Sequence, residues 1–578
     1  MTNMNSSFTA PEGSMERELI VITKPEAELR ATKEQVTSNT GENVTPLVNL
    51  LNLEHATLEP LFGVSEERLK QEAASLASTT EESVPDLSNH YRVRAEDEQL
   101  DELATRLSGL EFVEAAYVKP AAQLAVMLEE TVEREKSVEA LNNMMPASSE
   151  APPVTPNYTS RQGYLNSAPE GIDAHYAWTL AGGRGRGVGI IDIEGAWRFN
   201  HEDLGQNQGG LVGGTPSTDL GWRNHGTAVI GEFGADVNSL GCTGIAPNAN
   251  VRGISIFGGL GSAGAIHQAA NLSKPGNIVL IELQRTGPRN SYLPLEFWPD
   301  DFAAIRYATV KGVIIVEAAG NGGENLDNPF YNNRPNGFPN SWKNPFNPAN
   351  PSSGAVMVGA GAPPPGTHNR DHGPDRSRLS FSNYGVRLDV QGWGREVTTC
   401  GYGDLQGGSS ENLWYTDRFS GTSSASPIIV GALACVQGIL KARQRIPLSP
   451  ARARQLLRST GSPQQDAPGR PRSQRIGNRP NLRQLISAAL HTREWEGVQF
   501  YGTVPAGQTR RWFTHSWPAH WHVVWTVVPM TPNPGNPQIE WKIQVERASD
   551  EHITYWINIT NVSTAEVNIE ARYAVLGW

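Results

Sequence analysis

The sequence predicts a parallel α/β sheet with helices on both faces, preceded by a small α+β domain and followed by a small all-β domain. Three observations carry this. Short apolar runs alternate with helical patterns through the middle of the chain, the first 135 residues are rich in Glu, Leu and Ala but poor in Gly, and helical periodicity disappears after about residue 495. At roughly 150 residues per domain, 578 residues leave room for three to four domains.

In the N-terminal part, Ser88 to Ala95 reads as a strand, with Tyr91 and Val93 on one face. Asp97 to Leu107 then sets Leu100, Leu103 and Leu107 on one helical stripe, and Phe112 to Val118 is a second strand. A further strand is predicted at Leu19 to Ile22. This α+β domain is given residues 1–140. Met145 to Pro156 is rich in Pro and Ser without periodicity, so 141–170 is predicted to be an exposed linker.

Residues 171–490 form the predicted α/β domain. Its elements are Gly187–Ile193, a helix after Asn224, Val251–Phe257, Ser262–Leu272, Ile278–Leu283, Phe302–Lys311 and Val313–Ala318. An Asn/Pro-rich insertion, Asn325 to Pro351, interrupts the alternation, and loops of that length are more often functional than idle. In 495–578 the strands are His522–Val528, Ile539–Arg547, His552–Thr560 and Val567–Leu576, separated by Pro, Gly and Asn turns. They predict a sandwich. Seven of the 15 tryptophans lie between Trp512 and Trp578, which suits aromatic core filling better than a ligand surface.

Lys and Arg number 48 against 60 Asp and Glu, a net charge of −12, so there is no basic surplus for binding nucleic acid by phosphate neutralisation. Apolar runs such as Gly312 to Val316 are too short to span a bilayer, so no membrane partner is expected. Cys242, Cys400 and Cys435 are too few for a disulfide framework. The first residues lack the basic start, apolar stretch and cleavage site of a secretory signal. The expectation is a cytoplasmic protein, with export by another route left open.

Four segments carry chemistry. G-V-G-I-I-D puts Asp192 near the end of a buried strand, and R-N-H-G-T-A puts His225 at the entry to a small-residue helix. V-E-A-A-G-N-G puts Asn321 just past a strand end. F-S-G-T-S-S-A-S-P puts Ser423 at the opening of an apolar helix, with Pro427 in its first turn. In a parallel α/β sheet these points fall at strand C-termini and helix N-termini, where such folds build sites. A serine hydroxyl needs a base, which His225 can supply, and Asp192 can hold the imidazole in the right tautomer. The Asn321 amide and the Ser423 N–H can stabilise an oxyanion. Singly, each residue has a plainer explanation as a cap, a turn or a satisfied polar group. Their joint occurrence in the order Asp, His, Asn, Ser favours catalysis.

Residues Gly187 to about Ala442 resemble the subtilisin-like serine proteases (peptidase family S8). N-H-G-T-A-V-I-G is similar to the family's histidine motif, A-A-G-N-G to its oxyanion motif and S-G-T-S-S-A-S-P to its nucleophile motif. The resemblance implies an endopeptidase with Asp192, His225 and Ser423 as triad and Asn321 as oxyanion donor. It further implies a peptide cleft edged by Gly259 and Gly261 on one side and Glu282, Leu283 and Gln284 on the other, with Ala319 and Gly320 also lining it. Two departures stand out. The aspartate motif continues Ile193-Glu194 where a small hydroxylic residue and Gly are usual, and Ser424 stands where Met is common. Glu194 would place a carboxylate near the triad and favour a basic substrate side chain.

The N-terminal unit loosely resembles a subtilase propeptide, which implies an inhibitor removed by self-cleavage, expected between about Ala140 and Ser167. A permanent regulatory domain is the alternative. The partners expected are thus a protein or peptide substrate and the chain's own propeptide. The chemistry requires no cofactor. Loop oxygens of the insertion could hold structural calcium, although no metal ligands can be assigned. Gly259 to Gly264 also matches G-x-G-x-x-G, with Glu282 about twenty residues on, as in a dinucleotide site. That reading leaves Ser423, His225 and Asn321 unexplained. His368, Asp371, His372 and Asp375 have metal-like spacing only if helical, and the surrounding Gly and Pro argue for a loop. A peptide-binding scaffold without catalysis is the last rival, disfavoured by the intact set of catalytic residue types.

Overall fold

The computed structural model describes residues 16–32, 35–78, 80, 82–126, 152, 154–491 and 496–576. It divides into two units: residues 1–439 with 448–486, and residues 440–447 with 487–578.

The first unit opens on an antiparallel sheet of β1 (Glu18–Thr23), β2 (Thr57–Pro60), β3 (His90–Arg94) and β4 (Val113–Lys119), in the order β2–β3–β1–β4. Helix α1 (Leu100–Leu107) buries Leu100, Leu103, Ala104 and Leu107, the stripe its leucine spacing predicts. The expected elements at 19–22, 88–95, 97–107 and 112–118 correspond to β1, β3, α1 and β4. The short strand β5 (Gln123–Leu124) leaves this sheet. It pairs antiparallel with β10 (Leu283–Thr286), setting Leu124 opposite Leu283 and Gln123 opposite Gln284.

The central sheet has seven parallel strands. They are β6 (Gly189–Glu194), β7 (Gln208–Gly213), β8 (Asn250–Ser255), β9 (Ile278–Ile281), β12 (Ile314–Ala318), β13 (Val356–Gly361) and β14 (Val390–Trp393), with β10 and β11 (Tyr292–Pro294) lying outside it. Their order is β14–β13–β12–β9–β6–β8–β7. Ile278, Val279, Leu280 and Ile281 are all inaccessible, as expected of a strand covered on both faces. Helices α2 (Leu220–Gly234), α3 (Gly261–Leu272), α4 (Pro299–Val310) and α5 (Thr422–Ala442) complete the site's frame. Helix α5 is long and apolar enough to cross a bilayer, yet its most apolar window is wholly buried inside the fold. Pro427 is its sixth residue and lies in the second turn rather than the first, where it withholds the N–H that would bond the Ser423 carbonyl.

The 325–351 insertion packs on the N-terminal sheet: the Phe338 ring meets Tyr117 at 4.7 Å, and Gly337 sits where a Cβ would come within 2.3 Å of the Ala116 carbonyl oxygen. Its Asn344 and Asn347 side-chain oxygens accept from the backbone N–H of Phe346 and Ala349, and the Asp327 carboxylate accepts from that of Val386. Among the described residues, no group of three or more His, Cys, Asp and Glu side chains is arranged to hold a metal ion. His368 bonds the backbone carbonyls of Asp417 and Arg161, and His372 bonds Glu396 at 2.8 Å, in a loop rather than a helix.

The second unit holds two antiparallel three-stranded sheets: 496–504, 567–575 and 523–529 in one, 509–518, 552–561 and 539–547 in the other. Val504, Trp525, Ile557, Ile559 and Ile569 form the core between them. The strands at 496–504 and 509–518 escaped the sequence reading. Trp517 packs edge-on against Trp525 and Tyr573 in that core, whereas Trp541 is exposed.

Candidate active site

Two strand ends and the first turns of two helices converge. Asp192 and Glu194 lie on β6, two residues apart and hence on one face. His225 is the sixth residue of α2, whose N-cap Asp219 accepts from the Trp222 N–H at 3.0 Å. Gly226 must be glycine, because a Cβ there would lie 2.2 Å from the Ala196 carbonyl oxygen. Asn321 follows β12, and Ser423 is the second residue of α5. Asp192, Glu194, His225 and Ser423 are inaccessible.

The carboxylate on His225 is not the expected one. His225 Nδ1 bonds Glu194 Oε1, whereas Asp192 Oδ2 accepts from the Trp197 indole at 2.8 Å and Asp192 Oδ1 makes no hydrogen bond. Two physical reasons account for the exchange. Glu194 sits one pleat nearer the C-terminal edge, where α2 presents the imidazole, and its side chain is one methylene longer. Trp197 meanwhile claims Asp192, in space that Gly253 opens: a Cβ on Gly253 would lie 2.9 Å from the indole. The expected Asp192 contact with His225 is therefore corrected. The sequence alone leaves the choice open, because alternation along β6 puts both carboxylates of D-I-E on one face.

Burial pushes His225 down to about 3, favouring the neutral imidazole. Burial, only partly opposed by the Gly195 N–H, drives Glu194 upward. Burial, and then the neighbouring Glu194, drives Asp192 upward too. The His225 ring stands edge-on to Phe419 at 5.4 Å. His225 Nε2 and Ser423 Oγ are both buried without a hydrogen bond, so the structure does not join base and nucleophile directly.

Asn321 is anchored by its oxygen. Oδ1 accepts from the Thr422 N–H at 2.9 Å and the Thr422 hydroxyl at 3.0 Å, leaving Nδ2 as a buried donor without a partner. The Asn321 N–H donates to Gln284 Oε1 at 2.8 Å, and Gln284 Nε2 donates to the Leu124 carbonyl at 2.8 Å. The Ser423 N–H donates to the Ala125 carbonyl at 3.2 Å. Of the expected cleft residues, Leu283 and Gln284 thus pair with the chain's own 123–125 segment, a contact that sequence reasoning missed. The Ala319 and Gly320 carbonyls accept from the Asn383 side chain and N–H at 2.7 and 3.1 Å. Gly259 and Gly261 face the N-terminal sheet. The Gly259 carbonyl accepts from Arg92 and Arg94, and a Cβ on Gly261 would lie 2.2 Å from the Arg92 guanidinium. The G-x-G-x-x-G segment is thus covered by arginines from the N-terminal sheet. Glu282 is inaccessible beneath the site, bonded to Ser426.

The family model described as Peptidase S8, subtilase family, matches residues 81–478, more than half of the chain. The chain belongs to the subtilase family. Alkaline elastase YaB of Bacillus sp. (strain YaB) is 29% identical over 279 residues, 47% of this subtilase and 61% of that protein. Subtilisin Savinase of Lederbergia lenta is 30% identical over 240 residues, 41% of this chain and 71% of that one. A solved protease structure from Pseudoalteromonas arctica PAMC 21717 shares 22% identity at a TM-score of 0.40, covering 58% of this chain and 100% of that one. This subtilase spans between half and about three fifths of the length of the first curated relatives it matches.

Proposed function

We propose that this subtilase is a serine endopeptidase made as a self-processing zymogen, with Ser423 as nucleophile, His225 as base and Glu194 as the carboxylate that orients it. Ser423 Oγ attacks the substrate carbonyl while His225 Nε2 takes its proton. Glu194 holds Nδ1–H so that Nε2 is the free face. Asn321 Nδ2 and the Ser423 N–H receive the oxyanion, the acyl-enzyme forms, and His225 activates the water that releases it.

The observation that carries the reading is the Ser423 N–H donating to the Ala125 carbonyl while Leu124 and Gln123 extend strand β10. A peptide whose carbonyl meets an oxyanion donor and whose preceding residues add a strand to the cleft is bound as a substrate is bound. Residues up to Ala125 are then the propeptide, and the bond after Ala125 is the one cleaved. That moves the cleavage upstream of the expected 140–167 region, whose first part lies outside the described residues.

Mass spectrometry of the full chain beside S423A tests this. The expected result is an N-terminal fragment ending at Ala125 from the wild type and none from S423A. Fragments ending only within 140–167 would remove the cleavage site, and both chains staying whole would remove self-processing.

A further inference from the structure

Glu282 lies at the end of β9, immediately before the strand that pairs with residues 123–124. Ile281 is in register with Ile193, so Glu282 stands level with Glu194 on the neighbouring strand. It is inaccessible, and its charged or titratable neighbours are Asp192 and Glu194 from β6 and Glu232 from α2. The hydroxyls of Ser423 and Ser426 face it from α5. No cation is among these neighbours.

The hydrogens can be counted. Ser426 Oγ lies 2.6 Å from Glu282 Oε1 and 2.7 Å from the Thr422 carbonyl oxygen. A carbonyl only accepts, and a hydroxyl carries one hydrogen. Both contacts are hydrogen bonds only when Ser426 donates to Thr422 and Glu282 donates to Ser426. The other oxygen, Glu282 Oε2, is buried without a partner, which a neutral carbonyl tolerates far better than a carboxylate does.

We propose that Glu282 is a neutral carboxylic acid that donates to Ser426 and so positions the first turn of α5, where Ser423 sits. Burial first, with the neighbouring Asp192 and Glu194 adding to it, raises its ionisation well above the ordinary carboxylate range and outweighs the nearby Ser426 and Ser423 hydroxyls. Ionisation would leave the Ser426 contact without a hydrogen. It would also set a negative charge close to the oxyanion that forms at Ser423.

Turnover therefore falls on the alkaline side as Glu282 loses its proton, by about tenfold per pH unit beyond its ionisation. The kinetic half of the test rests on the peptidase reading; the infrared half does not. Full-length wild type, E282Q and E282A are compared by the pH profile of kcat and by infrared absorption of protonated carboxyl groups. The wild type is expected to show a carboxylic acid C=O band that E282Q lacks, together with an alkaline fall in kcat that E282Q, whose amide still donates, does not share. E282A, without a donor, should lose turnover at every pH. Identical infrared bands in wild type and E282Q, or an alkaline fall of equal size in both, overturns the proposal. If no form turns over a peptide, the peptidase reading fails and the infrared comparison still decides the state of Glu282. If E282Q does not fold, E282D replaces it: a displaced band supports the assignment and an unmoved spectrum overturns it.

Discussion

The backbone N–H of Ser423 donates to the carbonyl of Ala125 at 3.2 Å, and the residue before it, Leu124, is held opposite Leu283. Ala125 is inaccessible, so the space around its methyl group is closed. A large side chain there has to be accommodated before the carbonyl can reach Ser423. A125F should slow appearance of the mature chain at least tenfold, about 1.4 kcal/mol of barrier, while A125G processes normally. Time-resolved gel analysis of refolded full-length protein reads this. Equal rates for A125F and wild type would mean that the contact is not the reacting one.

Glu194 and Asp192 make opposite predictions under amide substitution. E194Q keeps the shape but can donate to His225 Nδ1, stabilising the tautomer whose Nε2 already carries a hydrogen. By comparison with the orienting aspartate of a serine protease, kcat should drop by about 10⁴. D192N alters only the Trp197 contact and should cost about tenfold or less. A larger loss in D192N than in E194Q would return the orienting role to Asp192.

Asn321 tests the oxyanion assignment. N321A should lower kcat by about 10²–10³ with little change in KM, as loss of one oxyanion donor does. Because Oδ1 also accepts from the Thr422 N–H, alanine disturbs the helix start as well. N321D keeps that acceptor, removes the donor and adds charge, so it should lose at least as much. An N321D enzyme as active as wild type would exclude the role.

His225, Asn321 and Ser423 were legible because backbone geometry prescribes the residues around them. Gly226 admits the Ala196 carbonyl, and Gly320, at φ +90°, turns the chain beneath Asn321. The parallel sheet was legible for a similar reason, since strands covered on both faces must be apolar throughout. The choice between Asp192 and Glu194 was not, because both lie on one face of one strand and Trp197 decides between them through a contact that no local pattern records. Ala125 was invisible for another reason. What brings it to Ser423 is the pairing of β5 with β10, 160 residues apart, and a two-residue strand has no periodicity to read.

The docking of the N-terminal sheet rests on charges buried at its contact with α3 and α4. Lys119 is inaccessible and meets Asp300, also Asp301 at 3.4 Å and Glu18 at 3.4 Å, while Arg92 meets Glu18 at 2.7 Å. Removing Lys119 leaves Asp300 buried without its cation, at about 3–5 kcal/mol. K119M should weaken retention of the cleaved N-terminal fragment by roughly 10²–10⁴. Size-exclusion chromatography of processed protein would show the fragment co-eluting in wild type and separating in K119M. Co-elution in both would place the docking energy elsewhere, with the Tyr117–Phe338 contact the next to remove.

The loop carrying His368 and His372 owes its pH dependence to Glu396. Burial raises the Glu396 carboxyl, but His368, His372 and Arg370 outweigh it and hold it at about 2. A depressed carboxyl stabilises the fold above its unfolded value, 4.5, and that contribution is lost as pH falls through about 2. His368 runs the other way. Burial lowers it, but Glu396, Asp417 and the Arg161 carbonyl raise it above its usual 6.5, so its contribution is complete below 6.5 and is lost as pH rises through its higher folded value. Both contributions are whole only between about 4.5 and 6.5. Amide hydrogen exchange at residues 366–376 should therefore be slowest in that window, after correction for intrinsic rates, and E396Q should remove the acid-side loss and shrink the alkaline-side one, since Asp417 and the Arg161 carbonyl still raise His368. Protection that rises steadily toward alkaline pH in the wild type would show that the Glu396–His368 pair does not hold this loop.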